Sequence, residues 1–203
     1  MINLTIIIIV VTFACSVAGF YRPEIMDKFR FNAYRIIHHK EYYRLISHAF
    51  LHVDWMHLIV NMMVLYSFGQ AVQIYFGYFL LSGKVIPYFL TLYFGSILAS
   101  VIFDTIKHKD NPYYNAVGAS GAVSAIVYCS IFFAPMNKVL FFAIIPIPGI
   151  IFGVLYLGFS WYMAKKGNDN IGHNAHFWGA IFGFFFPLII DLKLLIRFLY
   201  QLF

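Results

Sequence analysis

Charged side chains are scarce in this 203-residue sequence. Asp, Glu, Lys and Arg make up 11% of the residues, whereas apolar residues make up 62%. An ordinary soluble domain has about 25% charged and about 45–50% apolar residues. So few charges cannot cover the surface of a soluble domain, and that class is therefore excluded. The 24 Phe and 15 Tyr residues exclude a disordered chain, because so much apolar surface does not stay solvated.

Cysteine is nearly absent, and the basic residues form no cluster. Cys15 and Cys129 lie in separate apolar segments, which excludes a disulfide framework and a CxxC metal motif. The net charge is +6, but the 14 Lys and Arg residues are scattered between apolar blocks. A nucleic acid would require a basic stripe, so we expect no nucleic-acid partner.

The few charges divide the sequence into long uncharged windows. A helix needs about 20 apolar residues to cross a hydrocarbon core of about 30 Å, and the windows reach that length. Backbone in lipid must satisfy its own hydrogen bonds, and the alternation typical of barrels is missing, so these windows are predicted to be helices. We expect an all-α polytopic membrane protein with one domain over residues 1–203 and six spans, at about 2–20, 54–77, 84–106, 115–134, 139–163 and 171–190.

The first span, the segment after it and the end of the sequence each need a separate interpretation. The first span has a passable signal-peptide cleavage site near Ala18, but it lacks a basic n-region, so we interpret it as a helix. Residues 21–50 mix charges with aromatics, which fits either a first loop partly embedded in the membrane or a solvated loop carrying an amphipathic helix. Residues Leu192–Phe203 are too short to span and are predicted to form an interfacial amphipathic turn.

Polar residues inside apolar spans are costly, so they are candidate functional residues. Three clusters occur, at the beginnings of spans two, four and six: His48, His52, His57 and Asn61; Gly118, Ser120 and Gly121; and His173, Asn174, His176 and Gly179. These spans run in the same direction, because one return crossing separates each from the next. At 1.5 Å per residue, the clusters lie roughly 5–15 Å below one membrane face. The sequence therefore predicts a single shallow polar site.

The residues of this site have the chemistry of nucleophilic hydrolysis. Small residues around Ser120 and Gly179 allow the two helices to pack closely. Such packing would bring Ser120 within hydrogen-bond reach of His176, a base that can activate a hydroxyl. His57 and Asn61 lie on one face of span two, where they could donate hydrogen bonds to an oxyanion.

Three motifs give the sequence a resemblance to the rhomboid intramembrane serine proteases. They are His57-Leu-Ile-Val-Asn61 in span two, Gly118-Ala-Ser120-Gly121 in span four and Ala175-His176-Phe-Trp-Gly179 in span six. The resemblance implies a six-transmembrane-helix bundle of the minimal bacterial form, in the bacterial inner membrane, with a partly membrane-embedded first loop. It also implies an active site that opens to the extracytoplasmic side.

The resemblance implies an endopeptidase that cleaves transmembrane protein substrates in or near their spans, without a cofactor or metal. Ser120 would be the nucleophile and His176 the general base and acid. The oxyanion hole would consist of His57, Asn61 and the Ser120 backbone N–H. The supporting residues would be His52, Gly118, Gly121 and Gly179 around the cavity, and Arg44 and Glu41 in the first loop. Span five, with Phe142 and Trp161, would be the mobile wall through which a substrate reaches the site.

Two features depart from the family pattern. Many relatives carry a Tyr four residues after the nucleophile, stacked on the catalytic His, whereas this sequence has Ser124 there and Tyr128 one turn further on. The sequence leaves open whether Tyr128, Ser124, Phe177 or Trp178 orients His176. In the implied topology the outer loops hold ten basic residues and the inner segments four, which is the reverse of the positive-inside rule.

Two alternative functions remain open. A catalytically inactive rhomboid-like protein could bind and escort membrane proteins, although such relatives typically lack the Ser or the His. A membrane metal- or haem-binding protein is the other alternative, because His48 and His52 have the spacing of paired ligands. Its further ligands would be His57, His173 and His176, with no carboxylate or Cys to complete the set.

Overall fold

The computed structural model describes residues 3–80, 82–141, 144–167 and 172–202. Within these ranges the chain forms ten α-helices, two single 3₁₀ turns at His48–Phe50 and Ser82–Lys84, and one antiparallel hairpin. The helices are α1 (Leu4–Tyr21), α2 (Pro23–Phe29), α3 (Ala33–His38), α4 (Arg44–Ser47), α5 (Trp55–Phe79), α6 (Val85–Lys107), α7 (Ser120–Phe133), α8 (Gly149–Lys166), α9 (His173–Ile190) and α10 (Leu194–Tyr200). The hairpin strands are β1 (Lys138–Phe141) and β2 (Ile145–Pro148), with Lys138 opposite Pro148.

The long helices are those of an integral membrane protein. Among the described residues, four helices are long and apolar enough to cross a membrane: α1, α5, α6 and α9. Helix α7 is apolar but has 14 residues, roughly 21 Å of helix, and α8 has 18 residues and ends in two lysines. The predicted all-α polytopic bundle is confirmed.

The predicted spans agree with the helices except that the helices of the fourth and fifth spans begin later than expected. The fourth span was expected from residue 115, but α7 begins at Ser120, because Gly118 has a φ of 129°, which is incompatible with a helix. The fifth span was expected from residue 139. Residues 138–141 and 145–148 instead form the two strands of the hairpin, and α8 begins at Gly149. Pro146 and Pro148 cannot donate the backbone hydrogen bonds of a helix interior. Residues 2 and 171, where the first and sixth spans were expected to begin, and Phe142 lie outside the described residues.

The first loop is folded into the short helices α2, α3 and α4. Its centre is the guanidinium of Arg44, which is 1% exposed, pairs with the carboxylate of Glu41, and donates hydrogen bonds of 2.8 Å to the carbonyl oxygens of Asp27 and Arg30. Burial raises the pKa of Glu41, but the hydrogen bond from Arg44 and the charges of Arg44 and Arg35 outweigh it and leave that pKa below its usual value. The depth of this loop in the membrane stays a prediction.

Helix α7 forms the centre of the bundle. Every residue from Gly121 to Phe133 is buried, and α7 packs against α5, α6, α8 and α9. Its closest neighbour is α9. A Cβ atom added to Gly179 would overlap the carbonyl of Gly121, and one added to Gly183 would overlap the backbone of Ala125. Without glycine at these two positions, the backbones could not approach as they do.

Replacing Gly183 with alanine is expected to destabilise the protein, because the new methyl group overlaps the Ala125 backbone. Overpacking of this kind costs about 1–3 kcal/mol. The matched control is Gly158→Ala on α8, where a Cβ meets no atom within 4 Å. The control should be stabilised by up to about 1 kcal/mol, because alanine has a higher helix propensity than glycine. Thermal unfolding in detergent measures both, and a Gly183→Ala protein as stable as Gly158→Ala would contradict the packing.

Candidate active site

Ser120 begins α7, directly after a loop that is tied to the residues around His48–His57. The Gly118 N–H donates to the His48 carbonyl at 3.0 Å, and the Ala119 N–H donates to the His52 ring at 3.4 Å. A Cβ on Gly118 would lie 2.7 Å from the His57 ring, so only glycine fits beneath that ring. Ser120 is the first residue of α7, and the first N–H groups of a helix lack intrahelical partners.

His52 holds this loop against α1 and is fully buried, although it was predicted to line the cavity. Its Nδ1 lies 2.9 Å from the Ser16 hydroxyl, which donates onward to the Phe50 carbonyl. Its Nε2 accepts the Ala119 N–H, so the ring is neutral with its proton on Nδ1. Burial, helped by the nearby His57, lowers the pKa of His52 to about 3. The arrangement makes His52 a fixed link between α1 and the Ser120 loop.

His57 and Asn61 occupy the first two turns of α5, one turn apart. The His57 backbone N–H is capped by the Asp54 carboxylate at 2.7 Å, and the His57 ring lies edge-on to His52 with 4.8 Å between centroids. The Asn61 amide donates one hydrogen to the His57 carbonyl at 2.9 Å. The second amide hydrogen remains for another acceptor, since an Asn side chain carries two donors.

His176 lies on the first turn of α9 and contacts a residue that the sequence analysis missed. Its Nδ1 is 3.1 Å from the hydroxyl of Tyr156 on α8, and the two rings are stacked at 6.2 Å. Tyr156 was not among the four residues considered earlier. Tyr128 instead donates to the Gly153 carbonyl, and Trp178 stacks on Phe103. The sequence signal that could have identified Tyr156 is its position four residues before Ser160 in an otherwise apolar span.

The contact between α7 and α9 lies beside both predicted catalytic residues. Gly121 follows Ser120, and Gly179 lies three residues after His176, so the closest approach of the helices is within one turn of each. The Ala175 carbonyl is also 3.2 Å from the position of a Cβ on Gly121. The structure therefore places Ser120 and His176 at the same end of two touching helices, with His57 against the same loop.

Asp104, near the end of α6, is a second residue that the sequence analysis did not single out. Its carboxylate is 3% exposed and accepts hydrogen bonds from the Tyr114 hydroxyl at 3.0 Å and the Asn174 amide at 2.9 Å. Burial, together with the charge of Asp104, raises the pKa of Tyr114. Asn174 lies two residues before His176, so Asp104 connects α6 to the start of α9 and to the segment before Ser120.

The histidines of the metal-binding alternative come from two parts of the chain. His48, His52 and His57 lie near the Ser120 loop, and His173 and His176 lie on α9 with 5.9 Å between their ring centroids. Over the ranges that the structure describes, no three side chains of His, Cys, Asp or Glu are placed to hold one metal ion.

Comparison with known proteins identifies the family. The Rhomboid domain family matches residues 39–192, which include every predicted site residue. The chain belongs to the rhomboid family. The three motifs thus lie in α5, at the beginning of α7 and in α9 of a rhomboid domain.

Three relatives of this rhomboid chain come from a plant, a bacterium and a yeast. RHOMBOID-like protein 12, mitochondrial, of Arabidopsis thaliana is 32% identical over 67% of this chain and 43% of its own length. Rhomboid protease GluP of Bacillus subtilis is 30% identical over 71% of this chain and 25% of its own length. Rhomboid protein 1, mitochondrial, of Saccharomyces cerevisiae is 27% identical over 68% of this chain and 39% of its own length. The matched region spans less than half of each relative.

These relatives bear on the predicted location. The rhomboid family and the apolar helices establish an integral membrane protein. Two of the three relatives are named as mitochondrial, so they do not single out the bacterial inner membrane predicted from the sequence.

The Asp104→Leu variant is expected to destabilise this rhomboid domain, because the Tyr114 hydroxyl and the Asn174 amide lose their acceptor. A buried donor without a partner costs about 1–3 kcal/mol. Asp110→Leu is the control, since the Asp110 side chain is 71% exposed and pairs with the exposed side chain of His38. Thermal unfolding in detergent should show a clear loss for Asp104→Leu and a change within about 0.5 kcal/mol for the control. Equal unfolding curves would show that this carboxylate does not support α9.

Proposed function

We propose that this chain is an intramembrane serine endopeptidase with Ser120 as nucleophile and His176 as general base. The observation that carries the proposal is the backbone contact of α7 and α9 at Gly121 and Gly179, within one turn of both residues. Membership of the rhomboid family supports it, and one relative is itself named a rhomboid protease.

In the proposed reaction the Ser120 oxygen attacks the carbonyl carbon of the scissile peptide bond while His176 takes its proton. The resulting oxyanion accepts hydrogen bonds from the Ser120 N–H, the His57 ring and the Asn61 amide. Collapse of this intermediate breaks the C–N bond, His176 gives its proton to the leaving amine, and an acyl-enzyme ester remains. Water, deprotonated by His176, then hydrolyses the ester and restores Ser120.

The proposed substrates are transmembrane segments of other membrane proteins. In a helix the scissile carbonyl is hydrogen-bonded within the backbone, and lipid offers no replacement partner, so the segment must unwind before attack. Segments that contain Gly or Pro unwind at the lowest cost and are the expected substrates. In this proposal the site opens at the extracytoplasmic face, on the side of the first loop and the segment before Ser120, and no cofactor takes part.

Single substitutions of the dyad are expected to abolish cleavage of a model transmembrane substrate by the purified protein in liposomes. Removal of a nucleophile or its base in serine proteases costs on the order of 10⁴-fold or more in kcat, so Ser120→Ala and His176→Ala should show no measurable turnover. Asn61→Ala should retain more activity, with a loss of about 10²- to 10³-fold. Ser130→Ala, a buried serine near the far end of α7, is the control and should cleave normally.

The outcomes separate the protease from the alternatives. A Ser120→Ala protein that cleaves like the unaltered chain would refute the proposal. An unaltered chain that is folded yet cleaves no transmembrane substrate would favour the inactive binding protein. Metal analysis of the purified protein tests the metal- or haem-binding alternative, which requires stoichiometric metal or haem. The protease should cleave equally well in the presence of a chelator.

A further inference from the structure

Tyr156 projects from α8 into the space between α7 and α9. Its ring is half-buried, stacks on Phe152 at 5.8 Å and lies 6.5 Å from the ring of Tyr128. Its hydroxyl reaches His176 Nδ1 at 3.1 Å, and the hydroxyls of Ser124 and Ser160 lie beside it. Both serines are buried. A single phenol therefore adjoins polar groups on three helices.

We propose that Tyr156 is the positioning residue of His176: its oxygen accepts the Nδ1–H, and its own proton is donated to a serine hydroxyl beside it. This inference rests on the proposed function. It assigns to α8 the orientation of the general base, which the sequence left open among residues of α7 and α9. Ser124, at the position where many rhomboid relatives carry a Tyr, then serves as one of the two candidate acceptors.

The direction of the hydrogen bonds follows from what a general base requires. To accept the Ser120 proton through Nε2, the neutral ring of His176 must carry its own proton on Nδ1. The Nδ1–H then donates, so Tyr156 must accept through its oxygen. A phenol that accepts in this way still has a proton to donate, and Ser124 and Ser160 are the acceptors at hand.

The direction of the hydrogen bond between Tyr156 and His176 also affects the rate of the proposed cleavage. If the Tyr156 phenol donated to Nδ1 instead, Nε2 would carry the proton and could not act as a base. The acceptor on Nδ1 also stabilises the imidazolium that forms during attack, as the buried carboxylate does in the Ser-His-Asp triad. Neutral tyrosine is a weaker acceptor than a carboxylate, so the effect of its removal should be smaller than in a triad.

The first test compares Tyr156→Phe with Tyr162→Phe on the same helix. Tyr162 is exposed, and the Lys166 ammonium lies over its ring. With a transmembrane substrate, Tyr156→Phe should lower kcat about 10- to 100-fold and leave KM within about twofold, because the lost group acts on the base rather than on binding. Tyr162→Phe should match the unaltered chain. The Ser124→Ala/Ser160→Ala double variant should lower kcat as well, because the phenol proton loses both acceptors.

The second test reads the tautomer of His176 directly. Protein labelled with ¹³C,¹⁵N-histidine is studied by NMR at a pH where the ring is neutral, and the His176 signals are assigned by their loss in His176→Gln. The unaltered protein should show the Nδ1–H form, and Tyr156→Phe should shift the population toward the Nε2–H form. Tyr162→Phe should leave the tautomer unchanged.

The results distinguish this inference from the proposed function. An Nε2–H tautomer in the unaltered protein, or a Tyr156→Phe protein that keeps both its kcat and its Nδ1–H form, would overturn the role of Tyr156 while leaving the dyad intact. An unchanged kcat in the Ser124→Ala/Ser160→Ala double variant would contradict the proposed hydrogen bond from the Tyr156 phenol to a serine. If the unaltered chain cleaves nothing, the proposed function fails, and the tautomer measurement still decides whether Tyr156 orients the ring.

Discussion

The close approach of α7 and α9 is the contact on which the rest of the structure depends. Gly179 and Gly183 lie directly on the backbone of α7, at distances that no larger residue permits. Since α7 is buried from Gly121 to Phe133, its position is set on all sides by its neighbours, and α9 is held against it. In lipid, where association gains little from apolar burial, such backbone packing is what brings helices together. Ser120 and His176 each lie within one turn of the contact.

Hydrogen bonds between elements surround this packed centre. Asp104 holds the start of α9 to α6, His52 holds the Ser120 loop to α1, and Tyr156 holds His176 to α8. Each pairs groups that would be costly to leave unpaired away from water. The first two lie near the end of α6 and the beginnings of α5, α7 and α9, and Tyr156 reaches the beginning of α9 from α8. The polar groups and the strictest packing therefore meet at one end of the bundle.

The sequence predicted the helices and the three motifs because both depend on local patterns. Long uncharged windows mark spans, and spans of one direction bring His57, Ser120 and His176 to one face. The strands β1 and β2 were missed because an uncharged apolar window fits a strand as well as a helix, although Pro146 and Pro148 indicated the break. Tyr156 and Asp104 could not be placed, since their roles depend on which helix faces pack together, and no periodicity in one helix specifies its neighbours.

The central claim is that this packing creates a Ser–His dyad, and the most direct measurement is the site of covalent modification by a fluorophosphonate. Such reagents capture a hydroxyl that an adjacent base activates. Mass spectrometry of the treated protein should find the phosphonyl group on Ser120, and the His176→Ala protein should remain unmodified under the same conditions. Modification of a different residue, or equal modification of Ser120 in the absence of His176, would contradict the account.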